Sequence, residues 1–224
     1  MSHDATTSST LPPALHDLRA QLGDELGRTD AAVRPSNLVR RGAFGVLLLA
    51  IVAIFMLALA FGWRPTMVHP VAGTSALIQM LAALTLFALT MREAIPGQRS
   101  HPLALLLGAL CALTTHLGGG MLPMLPRIDA PATAKGIVCY SIEFGLAIPI
   151  IALLLALVHR SLVPSPLRFG LAGGLAVGVA SDAIWRLVCP YNDLHHVLTA
   201  HSTAVLSITF AALAIVTLRD WLRR

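Results

Sequence analysis

Between positions 182 and 196 a very apolar chain carries an acid, a base, a thiol and two imidazoles: Asp182, Arg186, Cys189, His195 and His196. On a helix, Asp182 and Arg186 are four apart, share a face and can pair. Cys189, seven residues after Asp182, falls on that same face near the helix end, which Pro190 stops. Cys139 and Glu143, again four apart, share a second face, and His116 and His201 stand elsewhere in apolar surroundings. Cysteine and histidine together could ligate a soft metal, and paired thiols could exchange with a disulfide. Buried acids such as Glu143 and Asp182 are costly and are paired or functional when they occur. The sequence lacks Ser/His/Asp logic, a Gly-rich phosphate loop and a His-x-x-Glu-type motif, so no enzyme class is indicated.

The elements that must position these residues are apolar runs. Of 224 residues, 56% are hydrophobic and 12% charged, against about 25% charged in soluble domains. This is the composition of a membrane protein. Six long segments follow one another, from Ala43 to Trp63, Val71 to Met91, Leu103 to Leu122, Gly136 to Val158, Phe169 to Val188 and Val197 to Leu218. Each approaches the roughly 20 residues that cross a bilayer as a helix. None alternates with period two, which argues against a barrel, and Pro149 and Gly173-Gly174 are tolerated inside spanning helices. The expected fold is an all-α bundle of six transmembrane helices, residues 42–224, behind a short N-terminal tail, residues 1–41. The polar stretch Met1 to Thr10 lacks the charged and apolar parts of a cleavable signal peptide.

The basic residues set the orientation. Twelve of 16 fall on the side shared by both termini, including Arg40 and Arg41 before the first segment and Arg223 and Arg224 after the last. Only Arg64, Lys135, Arg127 and Arg186 fall on the other side. Both termini are therefore expected in the cytoplasm, and the net charge of +5 needs no nucleic-acid partner.

This topology sorts the three cysteines. Cys139, at the start of the fourth segment, and Cys189, at the end of the fifth, share the outer lip, where in a bacterium disulfides persist. Spacing leaves open whether they bridge, ligate a metal or are two unrelated buried thiols. Cys111 lies mid-segment and reads as a small apolar packing residue. His195, His196 and His201 begin the sixth segment and read first as interfacial histidines. With His116, Cys139, Cys189, Asp193 and Glu143 they are weak candidates for a soft-metal site, because no pair has the i, i+4 spacing of a helical zinc pair. Glu143, Asp182 and Arg186 form a candidate intramembrane polar network.

On the cytoplasmic side, Leu11, Leu15, Leu18, Leu22 and Leu26 recur at spacings of four and three, one apolar stripe on a helix spanning about 11–27. Asp17, Arg19, Asp24 and Glu25 occupy its other faces. A helix this short is marginal alone and needs a partner: its own membrane domain, lipid headgroups, or the groove of a soluble protein.

Several features in order resemble the NrsF-like family of six-span bacterial inner-membrane anti-sigma factors. They are the leucine-bearing tail, the Arg40-Arg41 pair, Trp63-Arg64-Pro65, Ile95-Pro96-Gly97, a cysteine early in the fourth segment, and Leu187-Val188-Cys189-Pro190. A polar Asn192-Asp193 step and His196-Val197-Leu198 follow. Thr66 stands where the family often has an acid after Arg-Pro. The resemblance implies a non-enzymatic protein, without a cofactor, that sequesters an extracytoplasmic-function-type sigma factor through Leu15, Leu18, Leu22 and Leu26. It implies release on an oxidative or heavy-metal stimulus, with the family's paired cysteines falling on Cys139 and Cys189. Two rival readings use the same residues: a membrane thiol–disulfide oxidoreductase, which lacks a Cys-x-x-Cys pair, and a small transporter built on Glu143 and Asp182.

Overall fold

Each apolar run becomes one helix, as backbone groups deprived of water require. A computed structural model describes residues 17, 21, 35–61, 70–95, 100–121, 134–158, 163, 165–189, 191 and 194–223. The helices are α1 (Pro35–Phe61), α2 (Pro70–Glu93), α3 (Pro102–Met121), α4 (Ala134–Leu157), α5 (Pro166–Arg186) and α6 (Leu194–Trp221). No strand runs through the described residues. Five helices are long and apolar enough to cross a membrane: Val39–Phe61, Gly73–Glu93, Gly136–Leu157, Pro166–Arg186 and Leu194–Trp221. The apolar run of α3, Pro102–Gly118, is shorter. Leu15, Leu18, Leu22 and Leu26 lie outside the described residues.

The first helix begins about two turns before the expected span. Pro35 opens it, a position where the missing N–H costs nothing. Arg40 and Arg41, expected before the first segment, therefore ride on α1. Cys111 is a second correction: it is exposed on the outer surface of α3 and packs into no core.

Consecutive helices alternate in direction. At one end Gly42 of α1 meets Phe87 of α2 and Leu157 of α4, and Arg219 near the end of α6 donates to the carbonyl of Val158. At the other end Phe61 of α1 stacks edge-on against Trp185 of α5, ring centroids 5.7 Å apart. Large apolar side chains such as Phe44, Ile51, Phe55 and Leu59 of α1 face outward. An exposed stripe of that size suits lipid contact and would be a liability in water.

Helix α5 is the axis of the bundle and touches all five other helices. It is the least apolar of the membrane-length helices yet the most buried, because its small residues let neighbours approach. Gly170, Gly174 and Gly178 form a stripe against α6, where a Cβ at Gly174 would lie 2.7 Å from Cα and 2.8 Å from the carbonyl oxygen of Thr209. Backbone-to-backbone packing of this kind is how membrane helices associate without a hydrophobic driving force. It brings the polar face of α5, carrying Ser181 and Asp182, into the buried interior.

Candidate functional site

The sulfurs sit at the end of the bundle where α1 finishes. α5 ends at Arg186, and the chain turns through Val188 and Cys189, whose backbone N–H groups both bond the carbonyl of Trp185. This turn points the Cys189 side chain back at α4. Cys139 Sγ and Cys189 Sγ lie 3.7 Å apart, both buried. His196 brings Nε2 to 3.5 Å from Cys189 Sγ. Cys139, Cys189 and His196 offer ligand atoms within 4.8 Å of one another, a sulfur and nitrogen set suited to soft or borderline metals. Around them pack Ala50 and Leu57 of α1, Ile184 and Trp185 of α5, Val188, and Ala200 of α6.

One turn deeper lies the polar network. Asp182 Oδ2 gathers contacts from its own helix and from two others. It accepts from Arg186 Nε at 2.8 Å, from Gln79 Nε2 of α2, and lies 2.6 Å from His116 Nδ1 of α3. Gln79 also donates to the carbonyl of Val179 at 3.2 Å, and His116 Nε2 lies 3.0 Å from Ser202 Oγ of α6. The other oxygen, Asp182 Oδ1, is 2.7 Å from His201 Nδ1, which is 3.0 Å from Glu143 Oε2 of α4. Neither of these last approaches is aligned as a hydrogen bond. Both oxygens of Glu143, Asp182 Oδ1 and His201 Nδ1 have no hydrogen-bond partner among the described residues. A buried polar atom left so costs roughly 1–3 kcal/mol, more if charged.

The local fold of α6 makes this meeting feasible. Val197–His201 form a π-helical turn, and the extra residue per turn sets His196 and His201, five apart, on one face. Their rings meet edge-on with centroids 5.1 Å apart. Pi turns of this kind recur at functional sites. A search for i, i+4 histidine pairs cannot find them.

Of the residues expected from sequence, Cys139 and Cys189 are brought together, as are Glu143, Asp182 and Arg186. His196 joins the sulfurs and His201 joins the acids, whereas His195 is exposed and belongs to neither group. Gln79 and Ser202 carry no signal in sequence, since neutral polar residues are unexceptional in spanning helices. His116 stands out only as a histidine inside an apolar run. Asp193 lies outside the described residues.

A family model described as the negative regulator of sigma F matches residues 26–223. No curated protein and no solved structure matches the chain. The matched region takes in every helix of the bundle, the sulfur pair and the polar network together, and the chain belongs to the NrsF family of negative regulators of sigma F.

Proposed function

We propose that this negative regulator of a sigma factor works as a membrane-bound anti-sigma factor spanning the bacterial inner membrane six times, with both termini in the cytoplasm. The segment 11–27 holds an extracytoplasmic-function-type sigma factor through Leu15, Leu18, Leu22 and Leu26. Burying each leucine contributes roughly 1.5–3 kcal/mol before ordering costs, enough for capture that remains reversible. A change at Cys139 and Cys189 on the periplasmic side releases it. The protein performs no catalytic step in this reading and needs no cofactor.

The observation that carries the proposal is the 3.7 Å approach of the two thiols at the end of the bundle opposite the start of α1. An oxidant of the peroxide class would take two electrons and two protons from the pair, leaving a disulfide and water. The sulfurs would then close to about 2.05 Å, drawing the start of α4 toward the end of α5. A thiophilic metal would displace both protons and bind the thiolates with His196. Either event moves the small cluster in which Trp185 meets Phe61, and Phe61 ends the helix that begins next to the tail. A stimulus is transmitted only if it favours one packing over another, and α1, packed directly on the sulfur cluster, is the element that would have to shift.

Burial of both sulfurs speaks against the oxidoreductase reading, because exchange with a protein substrate needs an accessible thiolate. The test is co-purification of a sigma factor with the full-length membrane protein. Leu18→Asp with Leu22→Asp should abolish capture, and Cys139→Ser should retain capture while losing release by peroxide. Capture that survives both aspartates, or release that survives loss of both cysteines, overturns the reading.

A further inference from the structure

The three helices that gather the sulfurs gather a second ligand set directly below. α4 supplies Cys139 and then Glu143, α6 supplies His196 and then His201, and α5 supplies Asp182 with Cys189 following its end. Glu143, Asp182 and His201 present ligand atoms within 4.8 Å of one another. They are 0%, 0% and 1% exposed. Four of their polar atoms, Glu143 Oε1 and Oε2, Asp182 Oδ1 and His201 Nδ1, are without a hydrogen-bond partner among the described residues.

The way these atoms face one another decides between a shared proton and a cation. A protonated imidazole would aim its N–H along the line to one carboxylate oxygen. Here His201 Nδ1 is close to oxygens of both acids, 2.7 and 3.0 Å away, and aligned with neither. Ligand atoms of three side chains from three helices lie within 4.8 Å of one another. Asp182 is divided in the same sense. Its Oδ2 is occupied by Arg186, His116 and Gln79, while its Oδ1 lies 2.7 Å from His201 Nδ1 without an aligned hydrogen bond. That division is the arrangement by which outer partners orient a metal-binding carboxylate.

We propose that Glu143, Asp182 and His201 bind a divalent transition-metal cation, of the zinc, manganese or ferrous class, between α4, α5 and α6. This goes beyond the sigma-factor reading and does not depend on it. Two carboxylates and one imidazole form an oxygen-rich set that suits these ions over the thiophilic metals drawn to Cys139 and Cys189. Bonds of roughly 2.0–2.2 Å would place tetrahedral ligands about 3.4 Å apart, so the contacts of 2.7 and 3.0 Å open by about 0.7 and 0.4 Å to admit the ion. The two positive charges neutralise Glu143 and join Arg186 in compensating Asp182, and three helices become joined through one centre.

The experiment uses the full chain in detergent, with Cys139→Ser and Cys189→Ser removing the sulfur site, stripped by a chelator and titrated with cobalt(II). The expected result is one cobalt per chain, with visible d–d absorption, no thiolate charge-transfer band, and displacement by zinc. Glu143→Gln and His201→Gln should each abolish stoichiometric binding. His116→Asn leaves the three ligands in place and removes an outer partner, so affinity should fall about 10–100-fold with the spectrum kept. Should Glu143→Gln fail to fold, Glu143→Asp keeps the carboxylate but retracts it, and should shift the cobalt spectrum and weaken binding. Cobalt uptake no greater than that of a detergent blank, or binding indifferent to Glu143→Asp and His201→Gln, overturns the proposal.

Discussion

Replacing Asp182 by asparagine keeps the shape of the side chain and removes the charge on which Arg186, His116 and Gln79 converge. Asp182 is 0% exposed, while the Arg186 side chain retains 12%. Breaking a buried pair from one side costs about 3–5 kcal/mol, because the surviving charge stays behind without its counter-ion. Arg186 can regain part of its hydration, which puts Asp182→Asn near the lower limit, about 3 kcal/mol. That is on the order of a hundredfold in the folding equilibrium. Reversible unfolding in mixed micelles, with a chelator present so that metal does not contribute, measures it. Arg186→Met should cost a similar amount, and the double variant should cost less than the sum of the two by roughly 0.5–3 kcal/mol. A loss below about 1 kcal/mol for Asp182→Asn, or strict additivity of the pair, would show that Asp182 is not the charged hub of the bundle.

The glycine stripe of α5 gives a steric prediction with its own control. Gly174→Ala drives a methyl into the backbone of Thr209 and should destabilise by about 1–3 kcal/mol. Gly145→Ala, with nothing within 4 Å of the new carbon, should leave the melting temperature in detergent nearly unchanged. Peroxide should convert Cys139 and Cys189 into an intramolecular disulfide, seen by mass spectrometry as the loss of two hydrogens, while Cys111, exposed, is still alkylated. Phe61→Ala removes the ring that meets Trp185. It should allow the disulfide to form but weaken peroxide-driven release of the sigma factor, which separates sensing from transmission.

The sequence alone determined whatever depends on local composition and on one helix at a time. Apolar runs of membrane length fixed the helical elements, because an isolated backbone in lipid has to satisfy its own hydrogen bonds. The pairing of Asp182 with Arg186 followed from the i, i+4 relation within one helix. Exclusion of Cys111 from the sulfur pair rested on depth along the chain, although its placement in a packed interior was wrong, since a uniformly apolar helix gives no sign of which face meets lipid.

Tertiary structure decided every contact between helices. Glu143 had no neighbour foreseeable in sequence and came to lie 3.0 Å from His201 Nδ1 without an aligned hydrogen bond; Asp182 found Gln79, about 100 residues away, and His116. Helices apolar all round carry little moment to set their rotation, so packing sets it, here through the backbone contact of Gly170, Gly174 and Gly178 with α6. The π turn at Val197–His201 then placed one histidine on the sulfurs and another on the acids. Spacing along the chain singled out most of these side chains, but only the rotation of close-packed helices could say which of them lie together.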